Sequence, residues 1–515
     1  MEFIQSNILT LLLLAPALGM LLVLLAPSER TGLIKWGSIA FSLVPIGLSI
    51  IMWVSYNQTQ AGFQFEQQAP WFPQINSSYH VGVDGISIPL IVLGAFLTPL
   101  SMLMSLSIQK GVKAFFALFF LLEAAVVGCF ISLDLILFFI FFEASLVPMF
   151  FLINQWGGQN RKYASFKFIL YTMAASLGLL LAIQVVGLAS KSFDLPYLFS
   201  AVGRPFGDNT NNQVNLLVQD PKIWKGIAFF AFSLAFALKL PIWPFHTWLP
   251  DAHTEAPTGG SMMLAGILLK LGGYGFIRLV IPLFPDAAAQ FAPVLAVLAF
   301  ISIVLGAFAA WGQTDFKKLV AYSSINHMGF VALGVASAAL YFTNGVKNLD
   351  ANIAASGAVF QMVTHGLSSA AMFALVGVVY ERTHTRDLTK YGGLWAIMPK
   401  YGAILIFCSM ASLGLPGLAG FVSEFMVTRG AWPAFTLLTI LSMAGLLITG
   451  IYILKALQKV LHGPLGEEWR HHPLTDISIT EIVAVAPLMI AMLVLGIFPS
   501  VVLNLINVGV VRLFQ

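Results

Sequence analysis

Read for hydropathy alone, the chain resolves into long apolar runs separated by short polar breaks. A helix that crosses a bilayer needs about 20 mainly apolar residues. About 14 such runs occur, near 7–26, 32–54, 86–107, 113–131, 134–152, 163–188, 224–245, 259–281, 292–311, 318–340, 353–380, 401–428, 433–457 and 479–507. They are apolar on consecutive positions, whereas the strands of a membrane barrel alternate. The pattern predicts an all-α polytopic membrane protein of 14 helices in one integral domain. Two long stretches, Asn57–Gly85 and Lys191–Lys222, fit no helix and fall on one side. The second has the polar tract FGDNTNNQ at its centre. Neither is large enough for a catalytic domain.

Composition narrows the class. Of 515 residues, 58% are hydrophobic and 9% charged, against about 25% charged in a soluble domain. So little charge cannot cover a water-facing surface, which excludes soluble enzymes and nucleic-acid binders. A net charge of +4 gives no argument for an anionic partner. The two cysteines, Cys129 and Cys408, lie in apolar runs and read as buried free thiols, with a disulfide as the alternative. They cannot supply an iron–sulfur or structural zinc site. The start, MEFIQSN, carries no Lys or Arg before the first apolar run, so that run is expected to be a retained helix and not a cleaved signal.

Lysine and arginine set the orientation. With 14 spans both termini share a side. The opposite side receives 16 Lys and Arg and the terminal side 8, with Lys239 and Lys270 left inside runs. The bias predicts termini on the non-cytoplasmic side.

An ionisable group at the bilayer centre costs roughly 2.5–3.5 kcal/mol on insertion scales. Seven such groups sit in predicted spans: Glu123 and Glu143 in helices 4 and 5, Lys239 and Lys270 in helices 7 and 8, His327 and His365 in helices 10 and 11, and Glu424 in helix 12. A lone membrane carboxylate or amine can be a structural ion pair, and a lone buried histidine a packing residue. Seven spread over seven helices fit a proton relay better, since an organic-substrate pocket would cluster its polar groups. Glu123 and His365 are the two for which packing or hydration stays open.

Two spans are broken beside these charges. Helix 7 reads FALKLPIWPFHTWLP, where Pro241 removes a backbone donor and clashes with the preceding turn just after Lys239. Helix 12 reads SLGLPGLAGFVSEFM, with Gly414, Pro416, Gly417 and Gly420 before Glu424. Interrupted helices at corresponding positions of two halves point to a repeat-built transporter. Leu238-Lys239-Leu240-Pro241 and Leu413-Gly414-Leu415-Pro416 lie five helices apart, consistent with two five-helix units, helices 4–8 and 9–13. Five is odd, so the units would be inverted. The expected divisions are 1–110, repeat one at 111–281, repeat two at 292–457, and a last helix at 479–515.

Several motifs carry a family resemblance. PFHTWLPDAHTEAPTGGSMMLAGILLKLGGYG (Pro244–Gly275), VTHGLSSAAMF (Val363–Phe373), YERTHTRDL (Tyr380–Leu388) and LGLPGLAGFVSEF (Leu413–Phe425) resemble the antiporter-like proton-channel subunits of respiratory complex I. VGVDGISIPL (Val81–Leu90) and FFEASLVPMFFLI (Phe141–Ile153) point the same way. The resemblance covers essentially the whole chain, and Glu424 in place of a lysine is similar to the M type (chain 4). It implies 14 helices with inverted five-helix repeats and helices 7 and 12 discontinuous. The family's helix-5 glutamate falls on Glu143, its helix-7 and helix-8 lysines on Lys239 and Lys270, and its helix-12 residue on Glu424. It implies neighbouring L- and N-type subunits as partners, the bacterial inner membrane as location, and no cofactor on this chain. NAD, flavin, iron–sulfur clusters and quinone would belong to other subunits.

The relay expected from these residues starts at a switchable pair, Glu143 and Lys239, passes through Lys270 and His327, and ends at Glu424. Two close alternatives share the motifs: a subunit of a multisubunit Na⁺/H⁺ antiporter, and the matching subunit of a photosynthetic ferredoxin:plastoquinone complex. A quinone-binding redox enzyme would need cofactor ligands that the sequence lacks. His246, Asp251, His253 and Glu255 do not have metal-site spacing and are expected in a hydrogen-bonded loop under helices 7 and 8.

Overall fold

The computed structural model describes residues 5–60, 62–200, 221–342, 348–466, 469–470 and 474–513. The polar tract at 206–213 therefore lies outside the described residues. In chain order the elements begin with α1 (Ile8–Leu25), α2 (Thr31–Ser55) and a hairpin of β1 (Gln64–Phe72) and β2 (Ser77–Val83). Then come α3 (Ser87–Leu103), α4 (Val112–Ile131), α5 (Leu135–Trp156), α6 (Arg161–Ser190) and α7 (Pro221–Lys239, resumed as Trp248–Glu255). The second half holds α8 (Thr258–Leu283), α9 (Pro285–Trp311), α10 (Phe316–Phe342), α11 (Leu349–Thr383) and α12 (Pro399–Leu413, resumed as Ala419–Ala431). The chain closes with α13 (Thr436–Leu461), α14 (Ile479–Ile497) and α15 (Ser500–Leu513).

Among the described residues, eleven helices are long and apolar enough to cross a membrane. The shorter α3 and the two broken helices α7 and α12 occupy the remaining places of the expected fourteen. Burial is inverted relative to a soluble protein. Leu181 and Leu447 stand 69% and 71% exposed on the perimeter, while Lys239, Lys270 and Glu424 are buried. Lipid satisfies an apolar exterior, and every backbone polar group there must be paired within the helix. The most apolar stretches of α8 and α11 are wholly buried, which makes these two helices the centre of the bundle.

Loop contacts alternate between two faces. On the hairpin face, Asp134 caps α5 and accepts from Ser77 and the Ser78 amide. There too the His80 ring bonds Asp194, and the Leu195 amide bonds the Leu133 carbonyl. On the opposite face, the Gly158 amide bonds the Glu255 carbonyl, Ser107 bonds Glu381, and the Phe316 amide bonds the Arg386 carbonyl. These pairings require one bilayer crossing per predicted span. Helices α4–α8 and α9–α13 each form a five-span unit whose fourth member is broken, and the two units start from opposite faces.

Two expectations need correction. The run 479–507 is not one helix: α14 stops at Ile497, and Pro499 forces a new start at Ser500. Asn57–Gly85 holds no α-helix among its described residues, as expected, and its Gln67–Val81 and Gln68–His80 pairs form the antiparallel hairpin. Residues 248–255 form the second half of α7 and not a loop, since the chain resumes helical hydrogen bonding after the Pro241 break.

Candidate functional site

The break in α7 positions Lys239. Pro241 has no amide hydrogen, so the helix ends at Lys239 and its last carbonyls find other donors. Phe236 O accepts from the Leu240 amide, Ala237 O from the Ile242 amide, and Leu238 O from the Trp248 indole at 3.0 Å. The Trp243 amide goes to Ser302 Oγ at 2.9 Å. The backbone is thus satisfied within the protein, as membrane depth requires. Lys239 is the last residue of its half-helix, where a cation is favoured by the helix dipole. Its Nζ donates to Ser145 Oγ at 3.4 Å and lies 5.0 Å from the Phe142 ring centroid. Gly272 of α8 lies directly against this break: a Cβ there would sit 2.5 Å from the Leu240 amide nitrogen.

Glu143 closes the first half of α5, which is interrupted at Ser145. It lies on the same side as Lys239 and feels its charge, with the Ser176 hydroxyl beside it. Among the described residues no ion pair within 4.0 Å joins Glu143 to Lys239. Ser145 is the group that touches the ammonium. The expected pair is therefore present as neighbours, in a separated arrangement.

In α8 a π-turn at Leu264–Leu268 widens the helix ahead of Lys270. The Ala265 carbonyl is taken by the Lys270 ammonium itself. The same Nζ reaches His365 Nδ1 of α11 at 2.8 Å. The rings of His365 and His327 lie next to one another, centroids 5.5 Å apart and planes tilted by 47°. His327 Nδ1 then bonds Glu424 Oε1 at 2.8 Å. Four side chains from α8, α11, α10 and α12 thus form one file, all buried.

Glu424 belongs to the second half of α12, whose N-terminus opens inside the bundle. Gly414 ends the first half in the left-handed region, φ 81°, with the Leu415 amide returning to Met410 O at 3.1 Å. A Cβ on Gly414 would come within 3.0 Å of Glu424 Oε2. The run 401–428 expected from hydropathy puts Glu424 near a helix end. In the structure it sits in the second turn after the break. Gln361 Nε2 adds a 3.3 Å contact to Oε1.

Glu123 stands apart. It is 1% exposed, and neither carboxylate oxygen has a hydrogen-bond partner in the protein. The four residues once weighed for a metal go separate ways. Asp251 pairs with Lys167 at 2.7 Å, Glu255 accepts from the Asn160 amide, and His253 stacks on Phe373 with centroids 4.5 Å apart. His246 packs near Tyr322. Among the described residues no group of three His, Cys, Asp or Glu is placed to hold a metal ion. Cys129 and Cys408 are free and buried.

A model of the NADH:quinone oxidoreductase/Mrp antiporter transmembrane family matches residues 132–449, which include both broken helices and the whole file. The chain belongs to this family. Among its relatives, NADH-quinone oxidoreductase subunit M of Rickettsia conorii is 37% identical over 99% of both chains. The subunit M of Rhodobacter capsulatus is 38% identical over 93% of this chain and 90% of its own. An NAD(P)H-quinone oxidoreductase chain 4 of Trichormus variabilis is 38% identical over 100% of this chain and 92% of its own. A chain of respiratory complex I from Thermus thermophilus with bound NADH superposes at a TM-score of 0.84 with 29% identity, over 98% of this chain and 100% of that one. A chain of the Mrp complex from Dietzia sp. shares the fold alone, at a TM-score of 0.81 and 19% identity, over 99% and 98% of the two chains.

Within the family fold, sequence reasoning passed over several polar groups around the file. Ser145 lies two residues after Glu143 and was visible as a polar residue inside an apolar run. Gln361 precedes His365 by four residues, so both share one helix face. Its Oε1 receives the Ser423 hydroxyl. Asn326 and Thr449, bonded at 2.6 Å between α10 and α13, gave no such signal because their contact depends on how the two helices pack.

Proposed function

We propose that the chain is a proton-translocating, antiporter-like subunit of the membrane arm of an NADH:quinone oxidoreductase, of the M type. The observation that carries this reading is the buried file Lys270–His365–His327–Glu424, flanked by two half-helix ends. Amine, imidazole and carboxylate groups within bonding or one-water distance can pass a proton without leaving the low-dielectric interior. Full-length similarity to subunit M proteins supports the assignment to that complex.

In the proposed cycle, Glu143 and Lys239 act as a switch. Two unit charges 4 Å apart attract by about 4 kcal/mol at an effective dielectric of 20, and by about half that at 8 Å. Closing the pair holds the proton on Lys239, and opening it releases the proton toward Lys270. His365 and His327 hand it to Glu424, from which it leaves on the hairpin face. Electrons and quinone do not touch this chain: NAD, flavin, iron–sulfur clusters and quinone belong to other subunits, and energy arrives conformationally. The chain has no redox cofactor or active site of its own. Its partners are neighbouring L- and N-type subunits and the bilayer.

The Lys and Arg bias supports an orientation with the hairpin face outward from a bacterial inner membrane. The units 111–281 and 292–457 are the two inverted repeats. A second reading, a Na⁺/H⁺ antiporter subunit, shares the fold of the Mrp chain. Co-purification decides between them. The M-type reading expects NADH-oxidising peripheral subunits to accompany the chain, and NADH-driven, sodium-independent proton pumping by the isolated complex. A complex without those subunits that exchanges Na⁺ for H⁺ overturns it.

A further inference from the structure

Glu123 is a buried carboxylate that the file does not use, and the groups around it form a pattern of their own. The Thr98 hydroxyl of α3 lies beside it. Below Thr98, at the i+3 and i+7 positions, α3 and its last turn present Ser101 and Ser105. All three hydroxyls are buried. They line one helix face over about 10 Å, at 1.5 Å per residue. Thr98 and Ser105 donate to the carbonyls four residues back, Gly94 and Ser101. Ser101 Oγ has no hydrogen-bond partner among the described residues. An unpartnered buried hydroxyl is destabilising, so packing alone gives no reason for Ser101 to be polar.

The ladder ends at a cavity. Ser105 lines a pocket of about 190 Å³ on the face opposite the hairpin, walled also by Ser107, Glu255, Lys317, Glu381 and Arg386. A polar space of that size accepts several waters. The ladder therefore runs from a mouth lined by charged side chains at one end to the Glu123 carboxylate at the other.

We propose that Thr98, Ser101 and Ser105 form a proton-uptake branch that loads Glu123 from the cavity on the face opposite the hairpin. This rests on the proton-translocation reading and adds an uptake point separate from the Lys270–Glu424 file. Hydroxyls at i, i+3 and i+7 are too far apart to bond directly, so single waters bridge them. Each hydroxyl accepts a proton on its oxygen and gives up its own. The net change is one hydronium in the cavity becoming water while the Glu123 carboxylate becomes a carboxylic acid.

The test uses the assembled complex in inside-out vesicles, where the uptake face meets the bulk medium. Four chains are compared: wild type, Glu123→Gln, the double variant Thr98→Val/Ser101→Ala, and Lys239→Ala. Ser101→Ala breaks no hydrogen bond and Thr98→Val, close to Thr in shape, removes only the side-chain bond to Gly94 O; assembly is verified before pumping is compared. The proposal expects NADH-driven pumping to fall at least about tenfold in the double variant and in Glu123→Gln. Lowering the medium pH should recover pumping in the double variant but not in Glu123→Gln. The proposal is overturned if the double variant pumps at the wild-type rate, whether Glu123→Gln is impaired or normal. Normal pumping by Lys239→Ala would instead overturn the function on which the proposal rests.

Discussion

His365 is the link whose removal tests the file most sharply. It accepts from Lys270 Nζ at 2.8 Å on one side and lies next to the His327 ring, 5.5 Å between centroids, on the other. Replacing it by Leu leaves Lys270 and His327 separated by far more than one hydrogen bond. Losing a positioned proton-transfer group typically slows the step by about 10²–10⁴-fold. The same change removes one of the two acceptors of the buried Lys270 Nζ and leaves only the Ala265 carbonyl. Hydrogen bonds to charged groups contribute about 1.5–3 kcal/mol, so His365→Leu should also lower thermal stability. His365→Gln separates the two effects. It keeps a hydrogen-bonding side chain of similar reach but cannot titrate, so it should recover much of the stability and none of the transfer. The assay is NADH-driven acidification of inside-out vesicles, normalised to NADH oxidation, with unfolding of the purified complex followed in parallel. Wild-type pumping in His365→Gln would refute the reasoning and leave His365 as a packing residue.

Other perturbations follow from the same geometry. Gly414→Ala puts a Cβ on a residue at φ 81° and against Glu424; a cost of about 1–2 kcal/mol is expected from the left-handed backbone, together with reduced pumping, checked by unfolding and vesicle assays. Arg278 Nη2 pairs with Asp84 Oδ1 at 2.6 Å in the interior, and Arg278→Met should cost about 3–5 kcal/mol by stranding the carboxylate, measured as loss of assembled subunit. On the hairpin face, burial opposes the charged form of His80, but Asp194 and Glu66 outweigh it and raise its pKa above the ordinary value. A raised folded-state pKa stabilises fully below the unfolded value and is lost as pH rises through the folded one. His80→Leu should therefore lose most stability, relative to wild type, on the acidic side, and the difference should shrink toward alkaline pH in melting curves.

The spans were legible because a membrane leaves the backbone one economical solution, and a run of apolar residues announces it. The breaks were legible for a related reason: Pro241 and the Gly414–Gly417 cluster cannot continue a helix. The same rule should have split the last run at Pro499, where apolar neighbours on both sides masked the stop. The hairpin was hidden because its strands carry Pro70 and several glutamines and cover little core, so their alternation is weak. For the site, burial cost singled out the charged residues from sequence. What sequence could not give was their mutual order. His365 and His327 lie on different helices, and only the rotation and depth of α10 against α11 sets them ring to ring between Lys270 and Glu424. The separation of Glu143 from Lys239 by Ser145 is likewise a matter of side-chain placement at two helix interruptions, which no spacing rule encodes.

The central claim is that protons driven by NADH oxidation cross the membrane through this chain, starting at the Glu143–Lys239 switch. The direct measurement is the proton-to-electron ratio of the assembled complex carrying Glu143→Gln or Lys239→Ala, with assembly verified. The account predicts a lowered ratio or an arrested complex in both. A wild-type ratio at a wild-type rate of NADH oxidation in either variant would contradict it.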